Sequence, residues 1–143
     1  MKETKPIGIL IADDIKPLRD VIRLYLERAM DMQVIDEAPD LKDALESSRK
    51  LRPDAIIMNS DLPPIDSAYA ATLFREEGFT GAILVIAMHT EYDLINRSFR
   101  SGVNGFMHKD EIDEYLAEAI RRVHEGERYL SPRARAAYDG FSE

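Results

Sequence analysis

Short β-type runs alternate with longer stretches of helical spacing five times along the chain, and that alternation admits few folds. Ile7-Gly8-Ile9-Leu10-Ile11-Ala12 is a continuous apolar run, the signature of a strand buried on both faces. Leu18, Val21, Ile22, Tyr25, Leu26 and Ala29 then repeat at helical spacing, with Asp14 as the predicted N-cap and Pro17 in the first turn. Met32 to Ala38 reads as a weaker strand, and Pro39-Asp40 opens a helix with the stripe Leu41, Ala44, Leu45, Ser48 and Leu51. Ala55 to Met58 is the third strand. A loop rich in turn residues, Asn59 to Pro64, leads to a helix capped by Asp66, carrying Ala70, Leu73 and Phe74 and ended by Gly78. Ala82 to Met88 is the fourth and most apolar strand. Thr90 with Asp93 resembles a capping box for a helix bearing Leu94, Ile95, Ser98 and Phe99, which stops at Gly102. Val103 to Met107 is the fifth strand. The last long helix shows Ile112, Tyr115, Leu116, Ala119, Ile120 and Val123 on one face, with acids at its start and Arg121, Arg122 and His124 near its end, as the helix dipole favours. Residues 1–130 make one domain, and 131–143 read as a C-terminal tail or linker stub with one helical turn after Ser131-Pro132.

Units of this kind imply a parallel sheet covered by helices on both faces. Right-handed crossovers then favour an α/β, flavodoxin-like (βα)5 three-layer sandwich with sheet order 2-1-3-4-5. In such a sheet the functional crevice lies at the carboxyl ends of the strands, beside strands 1 and 3. Composition narrows the functions this crevice can serve. The formal net charge of −8 argues against a broad basic face for nucleic acid or an anionic membrane. With no cysteine, thiolate metal sites and cysteine nucleophiles are excluded. The longest apolar run, Ala82 to Met88, is far too short to span a bilayer, and Met1 to Pro6 lacks the apolar stretch of a signal peptide. The expectation is a soluble cytoplasmic domain.

The strand ends carry the chemistry. Asp13-Asp14 follows strand 1, Asn59-Ser60-Asp61-Leu62-Pro63-Pro64 follows strand 3, Ala87-Met88-His89-Thr90 follows strand 4, and His108-Lys109-Asp110 follows strand 5. Two carboxylates beside a crevice make half of a hard-cation site, since Mg²⁺ takes oxygen ligands. A lysine across the pocket holds a phosphoryl oxygen or pairs with a carboxylate. Here the chain resembles the receiver domain of bacterial two-component response regulators, over residues 6 to about 130. The resemblance rests on Ala12-Asp13-Asp14, on Pro53-Asp54 with Asn59 and Pro63, and on Gly102-Val103-Asn104-Gly105-Phe106 with Lys109, all in order. The stretch from Ala119 to Pro132 resembles the NarL/LuxR-type branch, in which a helix-turn-helix domain follows.

In that family an aspartate at the end of strand 3 takes a phosphoryl group with Mg²⁺ in place. A Ser or Thr after strand 4 then registers it, and an aromatic on strand 5 turns inward. The resemblance assigns Asp13 and Asp14 to the acidic pair, Lys109 to the lysine and Phe106 to the aromatic. It puts Asn59 at the phosphoacceptor position, Ala87 at the hydroxyl position and Ser67 where a Gly is usual. A carboxamide is no useful nucleophile toward phosphorus, and losing one of three carboxylates weakens Mg²⁺. The expected function is therefore an atypical, phosphorylation-independent receiver in phosphorelay-type signal transduction and transcription regulation, not an enzyme. Its implied partners are proteins: a sensor kinase, and a second copy through the face of the fourth helix, fifth strand and fifth helix. Polar contacts on that face are Tyr92, Arg97, Arg100, Asp110, Glu114, Glu118, Arg121 and Arg122.

Other readings remain. The chain is alternatively an ordinary phospho-receiver captured as an Asn59 acceptor mutant or as a fragment without its output domain; Ala87 argues against a single deliberate change. In the phosphorylation-independent reading Asn59 is a turn-satisfying residue, Lys109 one half of a salt bridge with Asp13, Asp14 or a neighbour, and Phe106 packing. An aspartate-type phosphohydrolase wants its two acids two residues apart, and Asp13 and Asp14 are adjacent; the same pair would repel the phosphate of a flavin.

Overall fold

The structure, a computed structural model, describes residues 5–62 and 64–140. Pro63 of the acceptor loop, the first four residues and residues 141–143 lie outside the described residues. The central sheet contains β1 (Ile7–Ala12), β2 (Met32–Ala38), β3 (Ala55–Asn59), β4 (Ala82–Ala87), β5 (Gly105–His108) and β6 (Tyr129–Leu130). Every pairing is parallel, in the order β2-β1-β3-β4-β5-β6. The predicted order 2-1-3-4-5 is thus present, with a sixth short strand beyond it. A two-residue ladder, Asp61–Leu62 against Ile65–Asp66, folds the acceptor loop back on itself.

Successive strand residues face opposite sides, so each continuous apolar run feeds two cores. Leu10, Ala12, Ile56, Met58, Ile83, Val85 and Phe106 face α2 (Leu41–Leu51), α3 (Ser67–Glu76), α4 (Tyr92–Arg100) and α6 (Pro132–Gly140). Ile7, Ile9, Ile11, Ala55, Ile57, Leu84 and Ile86 face α1 (Lys16–Glu27) and α5 (Ile112–His124). Asp40 and Asp66 cap α2 and α3 by accepting the N–H of Asp43 and Tyr69. Two predicted caps do not form. α1 has no side-chain cap, the N–H of Ile15 just before it going to Asp13 rather than Asp14, and α4 starts at Tyr92 with no side-chain cap.

The tail reading is corrected by the same contacts. Residues 129–140 form a strand and a helix of nine residues, and Ala134 is fully buried against the main core. At the opposite end of the sheet the guanidinium of Arg75 ties the end of α3 to the loops that enter β4 and β5. Gly105 begins β5 where α5 crosses it. A Cβ there would lie 2.8 Å from Val123 Cγ1 and 2.9 Å from Leu84 Cδ1. Gly105→Ala is expected to cost about 1–2 kcal/mol through overpacking, read as a lower midpoint in urea with an unchanged slope.

Candidate functional site

The register of the sheet builds the site. β1 and β3 pair so that Ala12 lies beside Met58, which sets Asp13 and Asn59 next to each other just past the pair. Asp13 is 1% exposed and well tied. Its Oδ1 accepts the Ile15 N–H at 2.8 Å, its Oδ2 accepts the Asn59 Nδ2 at 3.3 Å, and its backbone carbonyl accepts Arg19 Nη1 at 2.6 Å. Burial pushes the Asp13 carboxyl above its usual pKa. The Ile15 and Asn59 hydrogen bonds oppose that rise, Asp14 adds to it, and Arg19 offsets it. Asp14 points outward and is exposed.

The Asn59 amide has one orientation that satisfies both neighbours. Its Oδ1 accepts the Asp61 N–H at 3.1 Å while its Nδ2 donates to Asp13. A flip would set oxygen against carboxylate oxygen and NH₂ against N–H. The sequence reading of Asn59 as a residue that satisfies its turn describes this Oδ1 contact; the contact to Asp13 is additional.

Asn59 pairs in register with Ile86, which places Ala87 one step past it on the neighbouring strand, opposite His108. The loop after β5 brings Lys109 to the same end. Lys109 is exposed, and its Nζ lies 3.8 Å from Met88 Sδ. Among the described residues it forms no ion pair, so the expected salt bridge with Asp13 or Asp14 is absent.

Known proteins resemble the chain in sequence and fold. The family model described as "Response regulator receiver domain" matches residues 9–121. The chain belongs to that family. It is 32% identical over 126 residues to the oxygen regulatory protein NreC of Staphylococcus carnosus (strain TM300), a match covering 87% of this chain and 58% of that protein. The NreC of Staphylococcus haemolyticus (strain JCSC1435) is 32% identical over 123 residues, covering 85% and 57%. The chain therefore spans less than two-thirds of the length of the curated relatives it matches. Among solved structures it resembles a LuxR-family two-component response regulator from Aurantimonas sp. SI85-9A1, with a TM-score of 0.91 at 25% identity, covering 96% of this chain and 99% of that one. The isolated receiver domain of RcsB from Salmonella enterica serovar Typhimurium shares the fold with a TM-score of 0.84 at 18% identity, covering 93% and 99%. These relatives place the receiver domain in the NarL/LuxR-type branch.

The receiver domain's own residues answer whether it fits the Mg²⁺ of its family. The donor set is one buried carboxylate, one exposed carboxylate and a carboxamide. Both oxygens of Asp13 already accept hydrogen bonds, and Asn59 turns an NH₂ group, not an oxygen, toward it. Among the described residues no three His, Cys, Asp or Glu are grouped to hold a metal. This set does not fit a hard cation that needs converging oxygens.

The read-out positions are core residues. Ala87 is 1% exposed and Phe106 0% exposed, both within the cluster that includes Leu130 and Ala134. Ser67 opens α3 fully buried, its Oγ 3.3 Å from Ser98 Oγ of α4. The polar residues picked out on the face of α4, β5 and α5 are largely committed within the chain. Arg97 bonds Asp66, Arg121 bonds Asp31, Arg122 bonds Glu118, Asp110 bonds Arg133 and Tyr92 stacks on Tyr138. The partners from residues 133–138 escaped the sequence reading. The signal present was Ser131-Pro132 followed by Ala134, Ala137 and Tyr138 at helical spacing. No helix among the described residues is long and apolar enough to cross a membrane.

Proposed function

We propose that this receiver domain is an atypical, phosphorylation-independent signalling module. It is a cytoplasmic protein-interaction domain serving transcription regulation, and not an enzyme. One observation carries the reading: Asn59, at the acceptor position at the end of β3, donates its amide to Asp13 at 3.3 Å. A carboxamide so placed supplies neither an oxygen nucleophile nor a negative charge. Ala87 supports the same reading, because a buried methyl cannot hydrogen-bond a phosphoryl oxygen. Output then depends on protein contacts rather than on a covalent mark. The partners are a sensor kinase that docks without transferring phosphate and a second copy, through the face of α4, β5 and α5. Net charge −8 leaves DNA contact to another domain.

Incubation with a small phosphodonor and Mg²⁺, read by intact mass and by lability to hydroxylamine, tests the proposal. The unaltered chain is expected to stay unlabelled. A hydroxylamine-labile phosphoprotein from that chain would overturn it. Strong labelling of Asn59→Asp alone would favour the ordinary receiver carrying an acceptor substitution.

A further inference from the structure

At the amino ends of the strands, the far end of the sheet from Asn59, a cleft of about 1050 Å³ lies between the end of α2 and the loop that joins α3 to β4. Its volume is at the upper end of small-molecule sites. Three features of its wall are not called for by the fold. Ser48 lines the cleft and is 7% exposed. Among the described residues its Oγ has no hydrogen-bond partner, and it is not sealed from the cleft. Such a hydroxyl needs a polar atom from within the cleft. Arg52 also lines the wall, and it is the one non-glycine residue at positive φ among the described residues, with φ 47° and ψ 63°. A residue before proline is pushed toward extended backbone, and arginine lacks the short polar side chain that eases the left-handed region. Glycine would end this helix at less cost. Nor does α2 need the charge, since Arg49 and Lys50 already stand at its negative end. Arg75 is the third feature. Every N–H of its half-buried guanidinium goes to a carbonyl or amide oxygen, and it has no ion pair among the described residues.

We propose that this cleft binds a small organic phosphate, its phosphate head taken by Arg52 and Ser48 and its apolar body by Leu45 and Phe79. Leu45, Ser48 and Arg52 stand at i, i+3 and i+7 along one face of α2 and its cap. A guanidinium and a hydroxyl on successive turns suit the splayed oxygens of a phosphate better than the two coplanar oxygens of a carboxylate. Leu45 and Phe79 are partly buried against the core and supply the apolar wall. Arg49 and Glu77 line the cleft and pair with each other. Arg52 and Arg75 then outnumber Asp54, whose Oδ2 accepts the Gly8 N–H at 2.8 Å. The cleft is therefore positive on a chain of formal charge −8, even without a charge on His124. Arg75 supplies field rather than contact, because all its donors are engaged. An occupant ties the end of α2 to the loop between α3 and β4. The inference does not depend on how Asn59 behaves at the other end of the sheet.

Titration of the ¹⁵N-labelled chain with phenyl phosphate in Mg²⁺-free buffer, followed by amide shifts, tests the proposal. Saturation is expected with a dissociation constant of about 1 mM or lower, with shifts at residues 45–54 and 75–81 and none around Lys109. Inorganic phosphate and benzoate should each bind about tenfold more weakly. Arg52→Gly should weaken phenyl phosphate at least tenfold while raising the melting temperature by about 3 °C, since it relieves the left-handed arginine. Ser48→Ala should weaken it about threefold. Lys50→Ala removes a cation of the same helix outside the cleft and should change the affinity less than about twofold. The proposal is overturned by a titration that does not saturate, by shifts confined to the Lys109 end, by benzoate binding as tightly as phenyl phosphate, or by an Arg52→Gly chain that loses stability rather than binding.

Discussion

Arg75→Ala should cost about 4 kcal/mol of stability and lower the melting temperature by about 12 °C. The guanidinium makes five hydrogen bonds to four acceptors. Nε and Nη2 reach Gly102 O at 3.2 and 2.7 Å, Nη1 reaches Phe79 O at 2.9 Å and Gly81 O at 2.7 Å, and Nη2 reaches Asn104 Oδ1 at 2.9 Å. Asn104 Oδ1 also accepts the Ile83 N–H at 2.8 Å, so one network aligns the entries to β4 and β5. No carboxylate shares the load, and burial holds the Arg75 pKa below its ordinary value. Truncation leaves three backbone carbonyls and half of the Asn104 acceptor capacity without their donor, each worth about 1–3 kcal/mol when dry. Water entering from the adjoining cavity of about 1050 Å³ recovers part of that, which sets the figure near the lower end of the sum. Arg75→Lys should recover less than half of the loss, since one ammonium cannot span acceptors on two loops. Arg49, whose pairing with Glu77 is largely exposed, is the control: Arg49→Ala should change stability by under about 1 kcal/mol. Chemical denaturation of the three variants decides the matter, and an Arg75→Ala chain as stable as Arg49→Ala would refute the hub.

The difference between what the chain discloses and what it hides follows from how far each signal travels. β1 and β4 are legible because strands buried on both faces need unbroken apolar runs, and the right-handedness of the helical crossovers limits the order of the rest. Asp13, Asn59, Ala87 and Lys109 are legible because strand ends are fixed by those runs and the crevice lies there. Arg75 is not legible, because three of its four acceptors are backbone carbonyls that leave no mark on residue type. The predicted cap of α1 is absent: Asp13 and Asp14 are chemically equal, yet Asp13 turns inward and takes the Ile15 N–H ahead of the helix while Asp14 points outward. Helix α6 fails for a related reason. Its local propensity supports one turn after Pro132, while its length is set by Tyr92, Phe99, Asp110 and Glu111, more than twenty residues away in sequence.

Asn59→Asp should destabilise the domain by about 3 kcal/mol at neutral pH, a fall of about 10 °C in melting temperature, and make its stability depend on Mg²⁺. The substitution exchanges a donor 3.3 Å from the Asp13 oxygen for a second carboxylate, so a hydrogen bond becomes a like-charge contact at a residue that is 1% exposed. The Asp61 N–H keeps an acceptor, which confines the effect to the Asp13 side. The pH dependence has a definite sign. Asp13 in the parent already has a folded-state pKa raised above its unfolded value of 3.8 by burial. Such an acid leaves stability intact below the unfolded pKa and removes it as pH rises through the folded one. The second carboxylate raises the folded value further, so the variant's deficit should close on acidification toward pH 4 and widen above it. Mg²⁺ acts in the opposite sense to the repulsion. With the carboxylates of residues 13 and 59 facing each other in the variant, a cation at a hundred times its dissociation constant contributes about 2.7 kcal/mol, close to the whole deficit. The parent, whose amide faces the acid, should gain far less from the same addition. Melting curves of both chains across pH, with and without Mg²⁺, test every part of this. A variant as stable as the parent at neutral pH without Mg²⁺ would mean that Asn59 and Asp13 do not share the pocket, and an equal Mg²⁺ gain in the parent would mean that the amide does not close it to cations.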